Sequence, residues 1–462
     1  MLVRVGDSQL GVHNTDPGTA LPVSLDYLSA RGAVVRTVAL PRDASGGRVP
    51  CTLSHGDPRA GSDSWWLDTE GLPSRASRTE DVVLLPCHGS PAGAPLAALL
   101  RDNKTIATLG ASATRDDVAT LPFVGYTGVR GTGTGLRQAA SLDGRSGFWV
   151  AGIANSRYGV RHVAPGSTRA TRVHGSTFYS AANATAESLR YQPATLDVRG
   201  VALFGARLLL TSSYAVERNR DVPPTHPRRG WTPWGGLVLI GDDAAPAPPR
   251  TSAALSTLAR GFSGRLNYWT FVFENAHSLW LVQDTSRYRP ASQAEAQAFE
   301  DRTGSSALAN GDGAYEQISG NGAMTRPVNL RTALGTTLVR WVWRDSAWQE
   351  EPAARVAIPG VACYSLAGRD EGGATGWVAY TTSRTTLYRI VTATRTLTEV
   401  RRAPAGTLYR GVVLPPLQPR GGPAPPLLPV PASLVAEGAP AAPSPAATPA
   451  TARTEAPKSR GV

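Results

Sequence analysis

The sequence predicts an all-β fold, and three observations carry that prediction. Short apolar runs recur along most of the chain, each bounded by Gly, Asn, Asp or Ser. The 48 Gly and 37 Pro among 462 residues punctuate it too often for long helices. A hairpin followed by a third strand recurs near residues 141, 201, 271 and 361, which is the mark of a repeat architecture.

The clearest copy is residues 197–241. There 201–204 form an apolar run, Gly205, Ala206 and Arg207 turn the chain, 208–211 return, and Gly235 and Gly236 introduce a third run at 237–240. This reads as one blade of a β-propeller. A Pro-rich insertion at 221–229 interrupts it at a loop, where repeat proteins tolerate insertions.

In chain order, strands are expected at 2–5, 22–27 and 34–40, with Val23, Leu25, Tyr27, Val35 and Val38 as core residues. Residues 41–125 are less regular, and 65–67, 82–85, 96–100 and 106–109 are the strand candidates for a second blade. The pattern returns at 136–141, 148–151 and 159–163, with Asp143 and Gly144 supplying a hairpin turn. Residues 269–273 and 278–282 flank a turn at 274–277, residues 291–302 read as a short helix, and Trp341, Trp343 and Trp348 fall near the outer strand of that blade. Four strands follow at 361–365, 376–380, 386–391 and 396–400. The run at 409–414 has no partner downstream, so it is expected to pair with the strands at 2–40 and close a ring. The whole reads as a β-propeller of six or seven blades over residues 1–415. Beyond it, 416–462 are rich in Pro, Ala, Ser and Thr and hold too little apolar surface to fold, so a disordered tail is expected.

Composition narrows the function. The formal net charge is +12, yet only Lys104 and Lys458 are lysines, and the remaining basic residues are Arg dispersed along the chain. That is the codon bias of a GC-rich genome more than a polyanion footprint, and no clustered basic helix or aromatic RNA-binding motif accompanies it, which argues against nucleic acid. No apolar run is long enough to span a membrane. Cys51, Cys87 and Cys363 lack zinc spacing. Cys51 and Cys87 are either one disulfide or buried small apolar residues.

Motifs that carry chemistry are scarce. There is no nucleophile elbow, H-E-x-x-H pair, P-loop or dinucleotide fingerprint. The seven His stand singly at inequivalent places, which suits solvated or core histidines better than a metal site. The string from Asn310 to Glu316 lacks carboxylates at both ends of a calcium loop, and Asp242 with Asp243 reads as a solvated turn. No catalytic residue, metal or cofactor is therefore expected. Aromatic and polar residues remain as the candidate binding surface: Trp65 and Trp66, a pair that more often caps a core than stacks on sugar, then His226, Trp231 and Trp234 in and just after the Pro-rich insertion.

Several motifs occur in a fixed order: LVRVG at 2–6, VVRTVALP at 34–41, SLDGRSGFWVAG and GVRHV within 141–163, RGVALFGARLLLTSS at 199–213, FVFENAHSLWLVQD at 271–284, TTLYRIV at 385–391 and YRGVVLP at 409–415. This set resembles an uncharacterised family of extracytoplasmic β-propeller-like repeat proteins of GC-rich bacteria and algae. The resemblance implies a propeller-like fold and export, and no activity. The family's signal peptide and regular second blade are not visible in this chain, which keeps a cytoplasmic location as the alternative. The expected function is a non-catalytic binding or structural propeller that presents loops to a protein or glycan partner. The rival is a propeller hydrolase or lyase acting on a small molecule or sugar in the central channel, and side chains lining that channel discriminate the two.

Overall fold

The computed structural model describes residues 1–16, 18–55, 70–77, 82–110, 118–123, 135–153, 159–164, 166–173, 198–204, 207–217, 232–241, 255–261, 267–284, 287–290, 307–309, 315–317, 329–333, 336–345, 347–359, 365–373 and 375–414. Among these, strands dominate, and helix is confined to α1 (Leu96–Arg101) and a 3-10 turn at Pro352–Ala354.

The strands form successive antiparallel sheets. In the first unit β1 (Leu2–Val5) lies between β2 (Leu21–Leu28) and the last strand, β30 (Leu408–Val412), with β3 (Val34–Ala39) outside β2. The pairing expected between the two ends of the chain is thus present, with Leu2 opposite Val412 and Val5 opposite Leu408. Period-2 alternation buries Val3, Val5, Val23, Leu25 and Val38 in one cluster, with Tyr27 half-buried against it. Val35 does not join them. It is 67% exposed, because β3 is an edge strand and an odd spacing puts Val35 on the face opposite Val38.

Through β4 (Thr52–Leu53) this sheet continues into a second unit of β5 (Ser74–Arg75), β6 (Val82–His88), β7 (Lys104–Gly110) and β8 (Ala119–Phe123). A disulfide between the buried Cys51 and Cys87 fastens the start of β4 to β6. Residues 96–100, expected as a strand, are instead helix α1. The run holds only Leu and Ala, both good helix formers, and Pro95 precedes it at the N-cap.

Four units follow. The third is β9 (Gly135–Ala140), β10 (Phe148–Ile153), β11 (Gly159–Val163) and β12 (Thr171–Arg172). The fourth is β13 (Val198–Phe204), β14 (Arg207–Glu217), β15 (Thr232–Ile240) and β16 (Leu255–Gly261). The fifth begins with β17 (Asn267–Asn275) and β18 (Ser278–Asp284). Its next segments are two ribbons, β19 (Arg287–Pro290) with β22 (Asn329–Ala333) and β20 (Ala307–Ala309) with β21 (Tyr315–Gln317). It resumes with β23 (Thr336–Arg344) and β24 (Ala347–Glu350), and β25 (Val356–Ile358) also pairs with β23. The last unit is β26 (Ser365–Asp370), β27 (Trp377–Thr382), β28 (Thr386–Val391) and β29 (Thr396–Arg402). The short helix expected at 291–302 lies outside the described residues.

Neighbouring units pack face to face through their first strands: β9 on β5 and β6, β13 on β9, β17 on β13, β26 on β17, and β30 on β26. Apolar clusters fill these junctions. Trp280 of β18 stacks on Trp377 of β27 at 6.1 Å between centroids, and Leu209 and Leu237 pack with Leu279 and Trp341. Each such fully buried side chain stabilises the fold by roughly 1.5–3 kcal/mol through water exclusion alone.

Close approach of first strands needs glycine at two places. A Cβ on Gly200 would stand 2.7 Å from the Trp269 carbonyl oxygen, and one on Gly411 would collide with the ring of Pro73. Both glycines follow an arginine and precede a valine, in the strings R-G-V at 199–201 and 410–412.

Candidate functional site

The first strands line an open cavity of about 240 Å³. Every unit contributes to its wall: Ser74 and Arg75 from β5, Gln138 from β9, Val201 and Leu203 from β13, Thr270 and Phe271 from β17, Leu366 and Ala367 from β26, and Val412 at the end of β30. Val413 and Leu414, just past β30, complete it. No carboxylate and no imidazole is among the described lining residues; the single charged one is Arg75.

The wall is held by bonds that cross from one unit to the next. The Gly71 and Leu72 N–H groups donate to the carbonyls of Leu136 and Arg137 at 3.0 and 2.7 Å, and the Ser74 hydroxyl to Ala139 O at 2.5 Å. The Val201 N–H donates to Gln138 Oε1 at 2.9 Å, and the Val412 N–H to Ser365 Oγ at 3.0 Å. Three arginines of first strands reach the following unit from nearly full burial. Arg137 Nη1 donates to Val198 O at 2.8 Å, Arg410 Nη2 donates to Ser54 O at 2.5 Å, and Arg199 lies over the Trp269 ring at 4.2 Å. Guanidinium suits this task, because it presents a planar fork for carbonyls and stacks on aromatic faces.

Beside the wall sits a buried polar chain that single-sequence reasoning missed. His88 Nε2 and Glu70 Oε2 are 2.6 Å apart, and Lys104 Nζ lies 3.0 Å from His88 Nδ1. Lys104 Nζ also donates to Leu99 O within α1, at 2.5 Å. All three side chains are buried, and Lys104 is wholly so. An ammonium only donates, so His88 Nδ1 is the acceptor and the imidazole proton is on Nε2, which donates to Glu70. Burial pushes the Lys104 ammonium down to about 8, with Glu70 and Asp102 opposing the shift. Burial likewise lowers the His88 imidazole, helped by the nearby Lys104 and Arg410 and opposed by Glu70. Sheet pairing brings His88 and Lys104 together as register partners on β6 and β7, and the segment before β5 adds Glu70. The one available signal was a lysine inside a strand-like run of an arginine-dominated chain.

Of the candidate binding residues, Trp65, Trp66, His226 and Trp231 lie outside the described residues. Trp234 is on β15, with its backbone opposite Ala215. Residues 310–314 of the calcium-loop-like string also fall outside the described residues, as do Asp242 and Asp243, while Tyr315 and Glu316 belong to β21. Among the described residues no group of three or more His, Cys, Asp or Glu is placed to hold a metal ion. No helix among them is long and apolar enough to cross a membrane.

No family model matches the chain, and no curated protein does. Solved structures align with the chain at low identity, two of them as follows. One is a hypothetical selenium-binding protein from Sulfolobus tokodaii, 8% identical, with 86% of this chain and 73% of that chain covered and a TM-score of 0.35. The other is apo AztD from Citrobacter koseri, 10% identical, covering 87% and 82% with a TM-score of 0.29. Likenesses at this level carry no argument about ligand or activity. The class is defined by the chain's own sheets: among the described residues, a nearly all-β protein of successive antiparallel sheets.

Proposed function

We propose that the protein is a six-bladed β-propeller closed by β30 on β1, and that it works as a non-catalytic binding or structural module outside the cytoplasm. Each unit is one blade, and the first blade combines β1, β2 and β3 with β30. Inter-blade loops present the binding surface to a protein or glycan partner. The observation that carries the non-catalytic reading is the cavity wall. A hydrolase or lyase working in the channel needs a general acid or base within reach of its substrate, and the described wall supplies Ser, Thr, Gln and one Arg among apolar residues. His88 and Lys104, two buried groups whose protonation is displaced, are bonded to each other inside the protein. The Cys51–Cys87 bridge supports export, because structural disulfides persist in oxidising compartments.

Glycan and peptide arrays probed with the purified full chain, with captured ligands then incubated with excess protein and followed by mass spectrometry, test this reading. Retention of an unmodified ligand is expected. Conversion of any captured ligand into product overturns it in favour of the hydrolase or lyase.

A further inference from the structure

The segment that carries Glu70 does two things at once. Glu70 accepts from His88, while the next residues, Gly71 and Leu72, bind β9 and lead directly into Pro73, Ser74 and Arg75 of the cavity wall. Lys104 ties the same imidazole to the Leu99 carbonyl within α1. One neutral imidazole therefore stands at the junction of α1, β6, β7 and the segment leading to β5.

We infer that Glu70, His88 and Lys104 form a pH-sensitive latch on the cavity wall, in which protonation of His88 opens the junction of α1, β7 and residues 70–75. The closed chain is ammonium, neutral imidazole, carboxylate, with balanced charge. One proton added at Nδ1 removes the acceptor that Lys104 uses and sets two cations 3.0 Å apart in a site shut off from solvent. The groups facing the imidazole are Glu70, Lys104 and Arg410, and Asp102 faces Lys104 from the end of α1. Arg410 adds a third positive charge, which exceeds what the carboxylates of Glu70 and Asp102 balance once His88 is protonated, and hydration of the junction relieves it. Glu70 Oε1 is buried with no hydrogen-bond partner among the described residues, an open acceptor for entering water. This inference stands on the latch geometry and is independent of whether the cavity binds or transforms a ligand.

Hydrogen exchange of the full chain at pH 7.5 and 5.5, corrected for intrinsic rates, tests it. The Gly71 and Leu72 amides of the wild type are expected to lose protection at least about tenfold on acidification, whereas His88→Gln, which keeps an acceptor and a donor without titrating, holds it at both pH values. Equal pH dependence in the two proteins overturns the latch. If His88→Gln does not fold, the imidazole titration of the wild type by NMR decides. His88 is expected to titrate below the ordinary imidazole value and to move upward in Lys104→Met, which removes the adjacent ammonium. A His88 that titrates at the ordinary value, or that ignores Lys104→Met, overturns the proposal.

Discussion

Arg199 lies across the ring of Trp269, its guanidinium carbon 4.2 Å from the centroid, and so fastens β13 to β17 at a point where both side chains are almost wholly buried. The contact combines cation–π attraction with the packing of a planar group. Replacing Arg199 by Ala should lower stability by about 3 kcal/mol, because it removes the ring contact and leaves a cavity. Arg199→Lys should recover less than half of that, since an ammonium cannot stack. Urea unfolding of the three proteins measures both.

Gly200 should tolerate no side chain. A Cβ there meets the Trp269 carbonyl oxygen at 2.7 Å and Thr211 Oγ1 at 2.8 Å, and that hydroxyl is already fixed by bonds to Gly200 N and Trp269 O. Gly200→Ala is expected to cost about 1–3 kcal/mol by forcing two first strands apart. A thermal midpoint unchanged from wild type would show that the strands can separate freely.

The Cys51–Cys87 bridge closes a loop with a sequence separation of 36. Loop-closure entropy for that length predicts a stabilisation of about 3–4 kcal/mol, lost in a Cys51→Ala, Cys87→Ala double variant. Denaturant unfolding, with and without reductant, reads the loss. The double variant should be insensitive to reductant.

Stability should depend on pH through His88 and Lys104, beside the N-terminal amine of Met1, which burial lowers to about 6 and which adds its own rise with pH between about 6 and 8. The His88 imidazole is held below its ordinary value of 6.5, so the unfolded chain binds that proton first and stability falls as pH drops below 6.5. The Lys104 ammonium is held at about 8 against 10.5, so between those values the unfolded chain again holds the extra proton and stability rises with pH. His88→Gln should remove the acid fall and Lys104→Met the alkaline rise. Urea midpoints collected from pH 5 to 11 separate the two effects.

Strands with β-branched residues and clean turns were legible from residue order. Leu2–Val5, Val198–Phe204 and Thr386–Val391 stand where apolar runs predict them, and so does the pairing of Leu408–Val412 with the first strand. What was illegible has a physical cause in each case. Ala119–Phe123 and Leu255–Gly261 are the last strands of their units, and an outer strand needs no continuous apolar run. Leu96–Arg101 is too short for periodicity to separate helix from strand. Glu70, His88 and Lys104 are scattered in sequence and meet through one cross-strand pair and one loop, so no spacing announces them.

Closure of the ring by β30 on β1 is the central claim, and paired truncations test it most directly. A chain ending at residue 414 retains β30, whereas one ending at residue 406 lacks it and leaves β1 paired with β2 alone. The account predicts that the first unfolds cooperatively at the wild-type midpoint, while the second loses that transition or unfolds with a midpoint lowered by many degrees. Equal midpoints and equal cooperativity in the two would contradict closure by the C-terminal strand.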